Sequence, residues 1–519
     1  MAELVDRGTP WHRSLWQVGS ILALREVLEY AESTRKGTMR PEGLQHVCSS
    51  AASSIARDLG VPDSPARATV LELLGRSSKK EGVVDPRAAD TLTELVRRIE
   101  RDYLTNWARG LTDNGVGVEN SELTARALVS HMLDAGFSVD HLHGWLLATK
   151  TDTKLADLIA QADDMFRRPY AKYTVIVPFT SLPQEVVAQA NERFMDWGAM
   201  LDHLTKGNLP KPPASLREGP GALTFDVEAR EPKAAIEQVG IELRRLSARV
   251  TVGLTSKTVI PAGHALVFPA SNPKWKPLGS WQKDIMVSAI VRHRLLLPSG
   301  GGTPSALDDA FELLASVQTA TSWASVATLW AAVEGLLARA GDAGAIAADR
   351  LAAIVASGFV RAELTQLIDV ASTRETELGG LLRSMESAPA AMDALLTHLA
   401  NTDDLGLDDP TDAAGIARIR QVLNNPAEVM ARIQGYFCDA FRRLYSQRNL
   451  MLHGGRFDSV ALPATMRTVP PLVAAGLDRL VHAELQAPRT DPFRLAARAE
   501  NELAMLGHDV ARSLHRLLD

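Results

Sequence analysis

EVMARIQGYFCDAFRRLYSQRNLMLHGG, residues Glu428 to Gly455, decides how the chain is read. Its apolar side chains at Val429, Met430, Ile433, Phe437, Phe441 and Leu444 recur three or four residues apart. That spacing lays one continuous stripe along an α-helix. Gly454-Gly455 is the expected stop, because glycine is the residue that closes helices most readily. The stripe needs other apolar helices to pack against, and the surrounding sequence supplies them.

Outward from this helix, the same periodicity runs through ASVQTATSWASVATLWAAVEGLLARAG, ADRLAAIVASGF, MDALLTHLA and PPLVAAGLDRLVHAEL. A helical bundle is expected over residues 285–519. Ser299–Pro304, SGGGTP, is read as a flexible connector near its start, since it lacks the Gly-Lys-Ser/Thr that a phosphate loop requires. Residues 171–284 change character. KYTVIVPF (Lys172–Phe179), ALTFDVEA (Ala222–Ala229), RVTVGL and HALVFP read as strands. SLPQEVVAQANERFMDWGAML and PKAAIEQVGIELRRLSAR read as helices, which gives a small α/β unit of about four strands. Residues 1–170 are again helical in pattern, with Gly136 closing the run that follows Ser121. The fold class expected is mainly α: a helical N-terminal domain, a small α/β middle domain and a C-terminal all-α bundle.

Composition excludes several functions. The 519 residues are 46% hydrophobic and 23% charged, an ordinary globular mixture. Only Cys48 and Cys438 are present, which excludes a disulfide scaffold or cysteine-rich zinc site and points to a reducing cytoplasm. No secretory h-region follows the N-terminus, and no stretch approaches the roughly 20 apolar residues that span a bilayer. The formal charge is −6 and the pI about 6.1. A chain coated in nucleic acid is therefore not expected, although a local basic pocket on an acidic body is allowed.

Such a pocket is concentrated in FRRLYSQRNLMLHGGR (Phe441–Arg456), where Arg442, Arg443, Arg448 and Arg456 accompany one histidine and no carboxylate. Arginine presents a planar, permanently charged fork that suits phosphate oxygens. Asn449 adds an amide donor and acceptor, and a histidine such as His453 can move a proton near neutral pH. Those groups suffice to cleave a phosphodiester whose own 2′-hydroxyl attacks, a reaction asking for proton transfer and charge stabilisation but no metal. Arg442, Arg443 and Arg456 are the expected RNA contacts. Helix geometry limits the picture, since positions five apart diverge by roughly 140°. Either the glycines free His453 to tilt, or Arg448 of one chain meets His453 of a second across a two-fold axis. Spacing alone favours a plainer reading, in which Arg448 makes a cap or ion pair and His453 sits at a favourable helix C-terminus.

RNLMLHGG resembles the Arg-Asn-x-x-x-His-Gly signature of HEPN domains, of the Apea-like branch. LWAAVEGLLARAG (Leu329–Gly341) is similar to that branch's earlier helix, through Trp330, Glu334, Leu336 and Leu337. The resemblance covers roughly residues 285–500 and implies a dimerising all-α bundle. It further implies a metal-independent endoribonuclease that leaves a 2′,3′-cyclic phosphate and a 5′-hydroxyl. It assigns phosphate binding to Arg448, acid or base chemistry to His453 and orientation to Asn449. Glu334 is either a further polar group of the site, or a helix-surface ion pair or buried tie to Arg448. The resemblance also implies a bacterial toxin or antiphage role and a phage-derived or other trigger, with a homodimer or higher homo-oligomer formed through the C-terminal domain.

Other features carry plainer readings. His131, His141 and His143 lack a metal-ligand pattern and are read as interface or capping histidines. Trp275 and Trp281, beside Lys274, Lys276 and Lys283, form a tryptophan-anchored linker more readily than a single-strand stacking platform. Arg244, Arg245 and Arg249 fit ordinary helix charge as well as an RNA path. The Asp-rich NTDDLGLDDPTDAAG lacks EF-hand spacing and reads as a solvated loop with helix N-caps. No cofactor, metal or membrane partner is expected. The rival reading makes the bundle a non-catalytic dimerisation or nucleic-acid-binding module that serves a sensor in the first 280 residues.

Overall fold

The computed structural model describes the chain apart from residues 77–81, 115–117, 151–152, 270–272, 280–284, 298–304, 319, 403–404, 408, 486–489 and 508–513. SGGGTP, Trp281, Lys283, Asp403, Asp404 and Asp408 lie wholly or partly outside the described residues. The fold is mainly α with one small antiparallel sheet.

Before the sheet lie α1 (Ser20–Arg35), α2 (Pro41–Ile55), α3 (Pro65–Gly75), α4 (Pro86–Asn114), α5 (Val118–Asp134), α6 (Val139–Ala148) and α7 (Leu155–Arg167). α4 shows why they form. Its buried Leu92, Val96, Ile99, Tyr103 and Trp107 keep the three-and-four spacing of an apolar stripe. Pro86 opens the helix, and the Asp85 carboxylate accepts from the free backbone N–H of Arg87 and of Ala88. Gly136, at φ +95, ends the turn after α5.

The middle part contains β1 (Ala171–Ser181), α8 (Gln184–Ala190), β2 (Phe194–Met195), α9 (Trp197–Lys206), β3 (Gly221–Ala229), α10 (Pro232–Gly253), β4 (Ile260–Pro261), β5 (His264–Phe268) and β6 (Trp275–Pro277). The sheet order is β2-β3-β1-β5-β6, with β4 pairing the end of β1. β1 runs antiparallel to β3 from Ala171↔Ala229 to Phe179↔Gly221. Because strand side chains alternate, Val175, Val177 and Phe179 face α10, while Ile176 and Leu266 face Met200 and Leu204 of α9. The sheet has six strands where about four were expected, because Ile260–Pro261 and the supposed linker at Trp275–Pro277 pair as β4 and β6, and two further details differ from the sequence reading. RVTVGL is the last turn and a half of α10 rather than a strand, with Val250 buried in the α10 core. The single helix expected over 181–201 is cut at Asn191, whose φ is +49, and Phe194–Met195 leaves it to pair with β3.

The C-terminal part comprises α11 (Ser288–Arg292), α12 (Ala306–Val317), α13 (Ser322–Leu337), α14 (Ile346–Ser357), α15 (Phe359–Ser372), α16 (Glu377–Ser384), α17 (Ala388–Asn401), α18 (Pro410–Asn424), α19 (Pro426–Leu452), α20 (Leu462–Leu485) and α21 (Pro492–Ala504). They share one large apolar core. Asp409, from the Asp-rich run, caps α18 by accepting from the Thr411 N–H. The stretch Ile346–Ser372 is long and apolar enough to cross a membrane by length and composition. Its most apolar 18-residue window is 72% buried inside the bundle, and the stretch is broken at Gly358 between α14 and α15.

The N-terminal and C-terminal parts are not independent bodies. Residues 1–19 form a strap of two short 3-10 turns ahead of α1. Its Trp16 packs edge-on against Phe359 and Phe437, at 5.7 and 5.2 Å between ring centres, and so belongs to the C-terminal core. In return Leu450 of α19 is buried in the N-terminal core. Arg13 of the strap pairs with Glu363 at 2.6 Å and Asp412 at 3.1 Å, and Arg418 joins Glu363 to Glu122 of α5. Burial alone would raise the Glu363 carboxyl; Arg418, His12 and Arg13 around it hold it below the usual carboxylate range.

Candidate functional site

The helix that carries the arginine cluster ends where the sequence places its stop. α19 finishes at Leu452, with His453 as its C-cap and Gly455 at φ +62. The Gly454 and Arg456 amides both donate to the Leu450 carbonyl, at 3.0 and 3.1 Å. A β-carbon on Gly454 would sit 2.6 Å from that carbonyl oxygen, so the turn admits only glycine there without moving. This turn leaves His453 exposed at the helix end.

Arg448 lies one turn and a half earlier and is half-buried. Its Nη1 donates to the Asn449 Oδ1 at 2.9 Å, and no carboxylate partner is found for it among the described residues. Asn449 is 8% exposed, and its backbone carbonyl accepts from the His453 N–H at 2.9 Å. Asn449 therefore touches Arg448 through its side chain and His453 through its backbone. Five residues of helix still separate Arg448 from His453, about 7.5 Å along the axis. One chain thus presents a guanidinium and an imidazole at the same helix end, on diverging faces.

The other three arginines are engaged by the protein itself. Arg443 is 7% exposed and pairs with Glu26 of α1 at 3.0 Å. Arg442 makes a two-pronged pair with Asp349, 2.7 Å on each arm, and its Nη1 lies 3.0 Å from His46 Nδ1. Arg456 meets Glu29 at 3.2 Å and Glu32 at 3.1 Å, and Ser459 Oγ donates to Glu29. This pairing counts against Arg443 as an RNA contact, whereas Arg442 and Arg456 keep about a third of their side chains exposed, at 31% and 32%. Their charge is met by carboxylates drawn from α1 and α14, and Arg443 has almost no surface to offer.

Glu334 is also not where the expectation wanted it. Trp323 packs on Phe457, at 5.1 Å between ring centres, and Trp330 on Tyr445 at 4.9 Å. As α13 advances, its contacts move back along α19, so the two helices run antiparallel. Glu334, one turn beyond Trp330, therefore lies toward Phe441, away from Arg448. No side-chain partner is found for it among the described residues.

Sequence reasoning missed the acidic stripe Glu26, Glu29 and Glu32 of α1. Carboxylates at successive three-residue steps on one helix were the available signal. Burial raises the Glu29 carboxyl, an effect opposed by the Ser459 hydroxyl and by Arg456. It missed an exposed aromatic pair too. Phe457, four residues beyond His453, and Trp323 of α13 packed on it are 52% and 44% exposed, and the exposed Leu452 is nearby in sequence.

The remaining candidates fall to structural roles. His131 is buried between the Tyr103 and Phe166 rings, at 4.5 and 4.9 Å, and burial lowers it to about 3. His141 lies 3.7 Å from Glu231, which caps α10 and also accepts from the Ser138 N–H of the N-terminal part. Trp275 donates to the Pro210 carbonyl from edge strand β6. Arg245 pairs with Glu242, and burial lowers Arg244. Among the described residues no cluster of three metal-ligating side chains exists. Set against protein-family models, curated proteins and solved structures, the chain matches none.

Proposed function

We propose that the C-terminal bundle is a HEPN-type, metal-independent endoribonuclease. One observation carries the reading: of the four clustered arginines, Arg448 alone keeps its guanidinium free of protein carboxylates among the described residues, beside Asn449 and at the helix end that exposes His453. In the reaction the RNA 2′-oxygen forms a bond to phosphorus and the bond to the 5′-oxygen breaks. One proton leaves the 2′-hydroxyl and one reaches the departing oxygen, leaving a 2′,3′-cyclic phosphate and a 5′-hydroxyl. Arg448 would hold the non-bridging oxygens as their charge grows, and His453 would carry a proton. Asn449 would fix the Arg448 fork. Trp323 and Phe457 offer an aromatic surface on which an unpaired base can stack.

The diverging faces of Arg448 and His453 favour a homodimer or higher homo-oligomer, in which one copy's arginine meets the other's histidine. We place the enzyme in a bacterial cytoplasm, serving a toxin or antiphage system whose first 280 residues receive a trigger. A second reading has its own support. Three of the four arginines bind carboxylates of this chain, as a non-catalytic module would have them.

The deciding experiment is cleavage of total cellular RNA by purified full-length protein in EDTA, with analysis of the fragment ends. Cutting by wild type to cyclic phosphates, and losses of about 10²- to 10⁴-fold in His453→Ala and Arg448→Ala, are expected. Equal cutting by all three proteins would discard the assignment.

A further inference from the structure

Leu295, Leu296 and Leu297 are the one place among the described residues where large apolar side chains in succession are all exposed. Leu296 keeps 72% of its surface in water and Leu297 85%. Met286, just ahead of α11, and Val291, in its last turn, are exposed as well. An exposed run of this kind marks a surface that something else covers. Frayed chain does not explain it. Ala289 is fully buried, and the Asp478 carboxylate of α20 accepts from its N–H at 2.6 Å and from the Ser288 hydroxyl at 2.9 Å. α11 then closes on Arg294, whose φ is +58. The Leu295 N–H donates to the Ile290 carbonyl at 2.8 Å and the Arg294 N–H to the Val291 carbonyl at 3.1 Å, the paired bonds of a helix-ending turn. The leucines are thus held out from a fixed base.

Charge narrows what covers it. Arg294 is exposed, with no carboxylate partner among the described residues. Arg292 donates to the Ser288 hydroxyl at 3.0 Å and lies 3.6 Å from Asp478, yet 60% of its side chain stays exposed. The run is therefore basic, on a chain whose net charge is −6. A second copy of the chain would set these arginines against their own images across a two-fold axis, and like charges repel. A folded partner would have to wrap the run, because neighbouring side chains of a non-helical segment leave it in different directions and all three leucines are wetted. A fluid layer of acyl chains beneath anionic headgroups meets both conditions. Leucines enter such a layer from any side, and arginines keep their charged ends at the level of the phosphates. A contact of this kind lies on the surface and needs no spanning helix.

We infer that residues 286–297 dock the protein on an anionic lipid surface, with Leu296 and Leu297 entering the acyl boundary and Arg292 and Arg294 meeting the headgroup phosphates. The inference is independent of the ribonuclease reading and makes no use of Arg448 or His453. Because α11 is tied to α20 through Asp478, the contact would hold the C-terminal bundle itself at the surface.

Vesicle flotation of the full-length protein tests this, with phosphatidylglycerol mixed into phosphatidylcholine and with phosphatidylcholine alone. Leu296→Ser combined with Leu297→Ser removes the apolar tip at positions outside every apolar core. Arg294→Asn removes a charge while keeping a residue that tolerates the left-handed backbone. Wild type is expected to float with the anionic vesicles and not with phosphatidylcholine alone. Affinity is expected to fall about tenfold or more in the serine variant and severalfold in Arg294→Asn, both at unchanged melting temperature. No flotation of wild type with the anionic vesicles would overturn the inference, as would equal flotation with both vesicle types or undiminished flotation of the serine variant. A wild-type oligomer that the serine variant breaks to monomers in analytical ultracentrifugation would also overturn it, by making the run a contact between copies.

Discussion

Arg443 and Glu26 stand 417 residues apart in sequence, yet form a buried, charge-assisted pair at 3.0 Å. Burial would lower the Arg443 guanidinium, and the Glu26 carboxylate more than offsets this. Removing one partner strands the other. Glu26→Ala is expected to lower the unfolding free energy by about 3–5 kcal/mol in urea, and Glu26→Leu combined with Arg443→Met to restore most of it. Failure of the double variant to recover would mean that the pair is net stabilising rather than mutually compensating. Glu334 supplies the opposite case. Since the antiparallel course of α13 carries it away from Arg448, Glu334→Ala is expected to change RNA cleavage by less than about twofold, against the large loss for Arg448→Ala. A loss comparable to Arg448→Ala would return Glu334 to the site.

At the level of elements, the end of α19 was the most legible part of the molecule. A periodic stripe, a run of arginines and a glycine pair are all local signals, and the helix stops at Leu452 as they require. Their consequence can be measured. Gly455→Ala, placing a side chain at φ +62, is expected to cost about 1 kcal/mol. Gly454→Ala drives its β-carbon into the Leu450 carbonyl and should move His453. Cleavage is therefore expected to fall further in Gly454→Ala than in Gly455→Ala at similar helix content by circular dichroism. Where reading failed, a distant partner decided. RVTVGL is rich in β-branched residues, but Val250 is claimed by the sheet-facing stripe of α10 and packing overrides propensity. Phe194–Met195 looks helical until β3 supplies an unpaired edge. The carboxylates that neutralise Arg442, Arg443 and Arg456 belong to helices that no spacing rule connects to α19.

Over the whole molecule, buried histidines contribute to the response to acid. His131 and His12 are lowered by burial to about 3 and about 4. An unfolded chain takes protons on both near pH 6.5, whereas the folded one refuses them until far lower pH. Between those values the unfolded state holds more protons, so each histidine subtracts stability as pH falls, at up to about 1.4 kcal/mol per pH unit. Glu3, Glu29 and Asp58, raised by burial, act with opposite sign. The informative quantity is therefore the difference between wild type and His131→Leu in melting temperature from pH 7 to pH 4. The wild type is expected to lose more on acidification, and parallel curves would deny His131 this role.

The strap also fixes an order of events in synthesis. Trp11, Arg13 and Trp16 leave the ribosome early, while Phe359, Glu363, Arg418 and Phe437, which receive them, follow more than three hundred residues later. At 5–20 residues per second the strap waits some tens of seconds with its tryptophans and arginine unhoused. When α19 finally emerges, α1 has already been made, with Glu26, Glu29 and Glu32 in place to receive Arg443 and Arg456. The arginine-bearing helix thus emerges after the helix whose carboxylates pair with Arg443 and Arg456.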